Sequence, residues 1–256
     1  MRRRAWAALL GLSGLLAQLP AQARETWQLA TAELPPAITA KQADNGYYAV
    51  LVRRVLQELD VDAQLHFLPP DRAIQQTMAG RYTAVFPLSR TPERERELIP
   101  SEPIFHVKVR VFVRRDDPWS GGGLEAMRGH PLCNIQGARL YPELEAALAA
   151  GWLQMQRVPE IGACFRMLAL GRVRFVVTGE NTGFEGMAAV PDGARKFRMA
   201  AEQLALQPVF LMFSRQVKGN VQRAEAFNQA LRRLRAEGVM HKLEHQVLPQ
   251  GSGYRP

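Results

Sequence analysis

The sequence predicts an α/β protein built as two lobes with mostly parallel sheets. Three observations predict it. Residues 26–88 run strand–helix–strand–helix–strand, the second half from Pro131 repeats that order, and "DDPWSGGG" at 116–123 interrupts the chain between them with proline and three glycines. Strands that alternate with helices in this way pair in parallel, and the helices cover the sheet faces.

Each element has a local reason. "TWQLATAEL" (26–34) is a strand stopped by Pro35 and Pro36, and "YYAVLVRRVLQELD" sets Val52, Val55, Leu56 and Leu59 at helical spacing. "AQLHFLP" turns Leu65 and Phe67 inward as a strand. "DRAIQQTMAG" is a short helix with Asp71 placed to cap it and Gly80 to end it. "TAVFPL" is a third strand, and the charged run "TPERERELIP" (91–100) follows it as a surface segment. Phe105, Val107, Val109, Val111 and Val113 then alternate with mostly charged residues, which predicts a long strand with one wet face. In the second half, "PLCNIQG", "WLQMQRV" and "VRFVVTG" are strands. "YPELEAALAAG", with Pro142 in its first turn, and "IGACFRMLALG" are the helices between them. "ALQPVFLMFSR" (205–215) is a further strand. The terminal helix "VQRAEAFNQALRRLRAEG" sets Val221, Ala224, Phe227, Leu231 and Leu234 on one face.

The first 23 residues have the form of an export signal. Three arginines precede an apolar stretch from Ala5 to Leu19, and Ala21-Gln22-Ala23 is a small-x-small cleavage site. That stretch is shorter than a spanning helix needs, so cleavage after Ala23 is expected in preference to a membrane anchor. Of 256 residues, 233 then remain from Arg24. Removing the three leader arginines from 33 basic residues leaves 30 against 24 acidic ones, a net charge of +6 in place of +9. The basic residues are dispersed, without a Lys/Arg run interleaved with aromatics. That argues against nucleic acid and suits anionic small molecules. Cys133 and Cys164 fall in the exported part, where two thiols are more often paired than free. Two buried, unbonded thiols are the alternative, since sequence does not supply the sulfur separation.

The order of several short motifs carries a resemblance. These are "PP" after the first strand, "GYY…LV" opening a helix, "P-x-x-R-A" at 69–73, "MAGRY", "TPERE…IPSEPIF", "IQG", "LALGRVRFVV" and "FNQALRRLRAEG". Together they resemble the periplasmic solute-binding proteins of amino-acid ABC importers, over nearly the whole exported chain. The resemblance implies a Venus flytrap, with lobe one from 24–114 plus 214–256, lobe two from 115–213, and crossing strands near Arg114 and Ser214. It implies a monomer without cofactor or metal that binds an amino acid or related carboxylate in the periplasm and delivers it to an inner-membrane permease.

The same resemblance assigns candidate residues. Arg94, in the Thr91-x-x-Arg94 motif, is implied to grip a ligand carboxylate, which its planar guanidinium matches bidentately. Arg96, two positions on, is expected to be a surface charge. Ser89 matches a ligand-facing hydroxyl, and Gly137 and Ala138 match a turn whose N–H groups approach a carboxylate. The family's ammonium-binding aspartate corresponds to Gly179 here, and Glu180 beside it either substitutes or caps the following helix. Tyr47 and Tyr48 offer an aromatic wall, Glu33 lies at the crevice end of the first strand, and Arg72 either faces the cleft or covers its helix. Thr83 and Arg174 replace structural aspartates, and Pro87 removes a backbone donor. These departures put a standard free amino acid in doubt as ligand.

Two other readings stay open. Periplasmic cyclohexadienyl dehydratases share the implied fold, with Glu180 in position to act as general acid. A sensory or orphan binding module without a transporter is the other. His241 and His245 are spaced four apart, but "HKLEH" lacks the glutamate placement of a zinc protease, and a solvated helix face is expected there.

Overall fold

The computed structural model describes residues 24–248, except 137 and 139. The expected leader, 1–23, lies outside the described residues. The first half comprises β1 (Glu25–Thr31), α1 (Tyr47–Gln57), β2 (Val61–Phe67), α2 (Pro70–Met78), β3 (Ala84–Leu88), α3 (Pro92–Glu97) and β4 (Leu98–Arg114). The second half comprises β5 (Pro131–Ile135), α4 (Pro142–Ala149), β6 (Gln154–Val158), α5 (Ile161–Ala169), β7 (Phe175–Gly179), α6 (Glu180–Ala188), α7 (Gly193–Lys196) and β8 (Phe197–Ser214). Two helices follow, α8 (Asn220–Ala236) and α9 (Val239–Val247). Among the described residues no helix is long and apolar enough to cross a membrane.

The strands form one sheet in the order β2-β1-β3-β8-β4-β7-β5-β6. β1 runs parallel to β2 and β3, and β5 runs parallel to β6 and β7, as the alternating order predicts. Between these parallel triplets lie two long antiparallel strands, β4 and β8, paired from Leu98 opposite Ser214 to Arg114 opposite Phe197. They carry the chain across from one triplet to the other. This is the two-lobed arrangement of parallel sheets joined by crossing strands.

Each triplet has its own core. On one side Trp27, Leu29, Leu51, Leu56, Phe86 and Phe213 pack with Phe227 and Leu231 of α8. On the other, Val111, Val113, Leu132, Leu144, Phe175 and Val177 pack on one face of the sheet, and Phe112, Phe165, Val176 and Phe197 on the opposite face. Val109, Val111 and Val113 of β4 therefore belong to the second core, and Leu211 and Phe213 of β8 to the first. The change of side occurs inside both long strands.

The structure differs from the sequence expectations at several points. Within the charged run, residues 92–97 make a helical turn and a half, capped by the Thr91 hydroxyl, which accepts from Arg94 N–H at 3.2 Å. Pro69 and not Asp71 is the N-cap of α2; Pro70 takes the first helical position and Asp71 lies within the first turn. The strand predicted at 105–114 begins at Leu98. Its second face is not wet throughout, because Phe112 is fully buried under α6. A Cβ on Gly183 would stand 2.0 Å from the Phe112 ring, so the absence of a side chain at 183 permits that contact. Val221 is 64% exposed, and the apolar face of α8 is Ala224, Phe227, Ala230, Leu231 and Leu234. Pro87 sits where the β3–β8 register shifts between Val85 and Leu88, a bulge that tolerates a missing donor.

Cys133 of β5 and Cys164 of α5 form a disulfide within the second core. It closes a loop of 31 residues, which restricts the unfolded chain by about 3–4 kcal/mol on the chain-entropy estimate. Replacing both cysteines by serine is expected to lower the unfolding free energy by about that amount in a urea titration. An unchanged midpoint would contradict it.

Candidate functional site

A cleft of about 770 Å³ opens between the two cores. Val107, Lys108 and Val109 of β4 and Leu206, Gln207 and Val209 of β8 line it where the long strands cross. One wall carries Tyr47, Tyr48, Phe86, Ser89, Arg94 and Phe105, and the other Asn134, Gln136, Ala138, Tyr141, Thr178 and Glu180. Most of both walls is apolar. Clefts of this size, apolar with a few polar groups, are the usual form of a small-molecule site.

Arg94 is the cation on the first wall. The cap on α3 fixes its backbone through Thr91, and its Nη1 donates to the Ser89 carbonyl at 2.8 Å. Glu95 does not compete for it. The Glu95 carboxylate is taken by Arg90, whose Nε and Nη2 donate at 2.6 and 3.0 Å. Two residues farther round the helical turn, Arg96 is exposed and does not line the cleft, as expected of a surface charge. Ser89 lines the cleft beside Arg94.

On the second wall, Gly137 lies outside the described residues. Ala138 lines the cleft, and Arg157 Nη1 braces its loop by donating to Ile135 O and Ala138 O at 3.3 and 3.0 Å. Glu180 lines the cleft but does not cap α6. Gly179 is the N-cap, and the Glu180 carboxylate is buried in an ion pair, its Oε2 accepting from Arg110 Nε at 2.9 Å. Arg110 is in turn held by donating from Nη1 to Ala201 O at 2.9 Å. One oxygen of the Glu180 carboxylate is thus held by a cation of the crossing strand.

Glu33 is exposed at the cleft rim, where it accepts from Ala40 N–H at 2.9 Å. That bond, and then one with Thr39, hold its carboxyl below the ordinary value. Arg72 is exposed and does not line the cleft. Arg174 is a structural cation, forked onto Asp117 at 2.9 and 3.1 Å. His241 and His245 stack edge-on with ring centroids 4.5 Å apart, and no group of three metal-ligating side chains occurs among the described residues.

Tyr47 and Tyr48 are buried at the start of α1, with ring centroids 4.6 Å apart and each 5.6 Å from Phe105. Burial pushes the Tyr47 hydroxyl up to about 12, against hydrogen bonds with Asn181 and Tyr48. The Asn181 bond joins α1 on the first wall to α6 on the second, so it spans the cleft. Sequence reasoning did not single out Asn181, Lys108, Gln207 or Tyr141. Lys108 was legible as the polar phase of the 105–113 alternation; the others carry no local signal.

The profile of the bacterial extracellular solute-binding proteins, family 3, matches residues 29–250. The chain belongs to that family. Its members' fold recurs in solved structures of low identity. An ancestral arginine-binding protein bound to arginine is 20% identical, with 88% of this chain and 99% of that one covered and a TM-score of 0.69. YtmK of Bacillus subtilis, a probable amino-acid ABC transporter extracellular-binding protein, is 14% identical, with 89% and 99% covered and a TM-score of 0.74. The ancestral amino-acid-binding protein AncCDT-1, a precursor of cyclohexadienyl dehydratase, is 16% identical, with 88% and 95% covered and a TM-score of 0.66. No curated protein matches the sequence. In this family-3 solute-binding protein, the cleft between the two cores is the candidate site.

Glu185, one turn after Asn181 on α6, provides a test of the wall-to-wall packing. Its Oε2 is shut off from solvent with no hydrogen-bond partner among the described residues, and burial raises its pKa from 4.5. An acid raised on folding binds protons more tightly in the native state, so stability falls as pH rises from 4.5 through the raised value. Glu185→Gln is expected to raise the thermal midpoint at pH 7.5 and to remove that part of the pH dependence. The difference from the unmodified protein should vanish near pH 4, as read by calorimetry across the range.

Proposed function

We propose that this protein binds a small carboxylate-bearing solute in the periplasm and delivers it to the permease of an ABC importer. The observation that carries the reading is Arg94, half-buried in the cleft wall and braced by Thr91 and Ser89. A braced guanidinium gives a carboxylate two parallel, charge-assisted hydrogen bonds at small entropic cost. Ser89 lines the cleft beside Arg94 and offers a hydroxyl to the same carboxylate. The arginine-bound ancestral protein and YtmK, which share the fold, support amino acids or similar compounds as the ligand class, and the family supports an extracellular location; the leader is then cleaved after Ala23.

The lobes divide at the change of core. In place of turnover at Arg114 and Ser214, we assign it to the middle of the long strands, near Val107 and its partner Gln207. A monomer then opens and closes by bending these strands, and ligand shifts it toward the closed form in which Tyr47 meets Asn181.

The test begins with a thermal-shift panel of small carboxylates on the purified protein. For the best ligand, Arg94→Ala is expected to weaken binding about 100-fold, since two charge-assisted bonds contribute about 3 kcal/mol. Arg94→Lys is expected to recover only part of this, because an ammonium cannot present the fork. Unchanged affinity in Arg94→Ala would remove the proposal's central residue.

A further inference from the structure

Asn134 is a polar side chain in an apolar place, and it narrows the ligand class, on the reading that the cleft binds a small carboxylate-bearing solute. On β5 it shares a face with Leu132, which is fully buried in the second core. Asn134 itself is only 4% exposed, and Val109, Leu140, Leu144 and Val177 of the same core line the cleft with it. An amide buried among such groups is costly unless its donors and acceptors find partners.

Half of the amide has one. Its Oδ1 accepts from the Ile135 N–H at 2.7 Å. A backbone N–H can only donate, so this bond identifies the oxygen and leaves Nδ2, with two N–H groups, as the other atom. Nδ2 makes no hydrogen bond among the described residues. It is not sealed from solvent, as the Tyr141 hydroxyl is, so the space it faces is the cleft that Asn134 lines. What remains of the amide is a pure donor. A ligand with an oxygen acceptor there completes it, whereas a methyl group there strips Nδ2 of water and returns nothing.

We propose that Asn134 determines specificity in the cleft: its Nδ2 donates to an oxygen acceptor that the ligand carries beyond its carboxylate, as a carboxamide, keto or hydroxyl group. With the carboxylate on Arg94 of the first wall and this oxygen on Asn134 of the second, the ligand bridges the two walls. Amino acids and plain carboxylic acids with such an oxygen both satisfy the arrangement.

Isosteric pairs test this by titration calorimetry on the purified protein: asparagine against leucine, glutamine against 2-amino-5-methylhexanoate, and 4-oxopentanoate against 4-methylpentanoate. In each pair the acceptor oxygen gives way to a methyl group at nearly constant shape. In the tightest-binding pair, the member with the oxygen is expected to bind at least about tenfold more tightly than its partner. A tighter carboxylate from the thermal-shift panel is compared with its own methyl isostere in the same way. A best ligand with no oxygen beyond its carboxylate, or a methyl isostere that binds as tightly, overturns the inference while leaving the carboxylate site standing. Failure of every carboxylate to bind overturns both. Asn134→Leu is expected to narrow the preference within the chosen pair at least about fivefold, and Asn134→Ala, which adds no bulk to the wall, to do the same. Both members of a pair meet the same folded fraction, so a loss of folding does not alter their ratio. A ratio unchanged in either variant overturns the role assigned to Asn134.

Discussion

The pairing of β4 with β8 is the constraint on which the rest of the structure depends. Seventeen and eighteen residues long, these strands stay hydrogen-bonded from Leu98 opposite Ser214 to Arg114 opposite Phe197. Each of the two cores is closed by parallel triplets and helices that touch only part of their length. Because both strands change core along their length, a gap between the cores is unavoidable. Val107, Lys108, Leu206 and Gln207 are its base. The same geometry explains why the alternation in β4 is interrupted at Phe112. Beyond the crossing, α6 covers the face that is open to the cleft nearer Lys108.

Charge is distributed around this gap with a clear asymmetry. On the first wall, Arg94 is braced through the Ser89 carbonyl and the Thr91 cap. The neighbouring acid, Glu95, is occupied by Arg90. On the second wall, Glu180 is buried against Arg110, a residue of the crossing strand itself. Breaking such a buried pair strands a charge, at about 3–5 kcal/mol, so the pair is a stable part of the wall.

The contact between Tyr47 and Asn181 links packing to motion. Both residues are buried, and they belong to helices fixed to different cores. Beside this contact, an oxygen of Glu185 is shut off from solvent without a hydrogen-bond partner among the described residues, so ionisation of this side chain opposes the packing of the two walls.

The sequence by itself determined the elements and their order, since those follow from hydrophobic period and turn residues within a few positions of each other. The Thr91-x-x-Arg94 motif pointed to Arg94 through the family resemblance, and the structure places that side chain in the cleft wall. The disulfide was legible as a pairing of two thiols in an oxidising compartment. Only the tertiary structure decided what Glu180 does, because its partner is 70 residues away on an adjacent strand, and register across β4 and β7 is not written in either segment. Arg72, exposed on its helix, and Val221, on an overhanging first turn, were misjudged or left open for the same reason. Period tells which residues share a face, but the neighbouring element decides whether that face is covered.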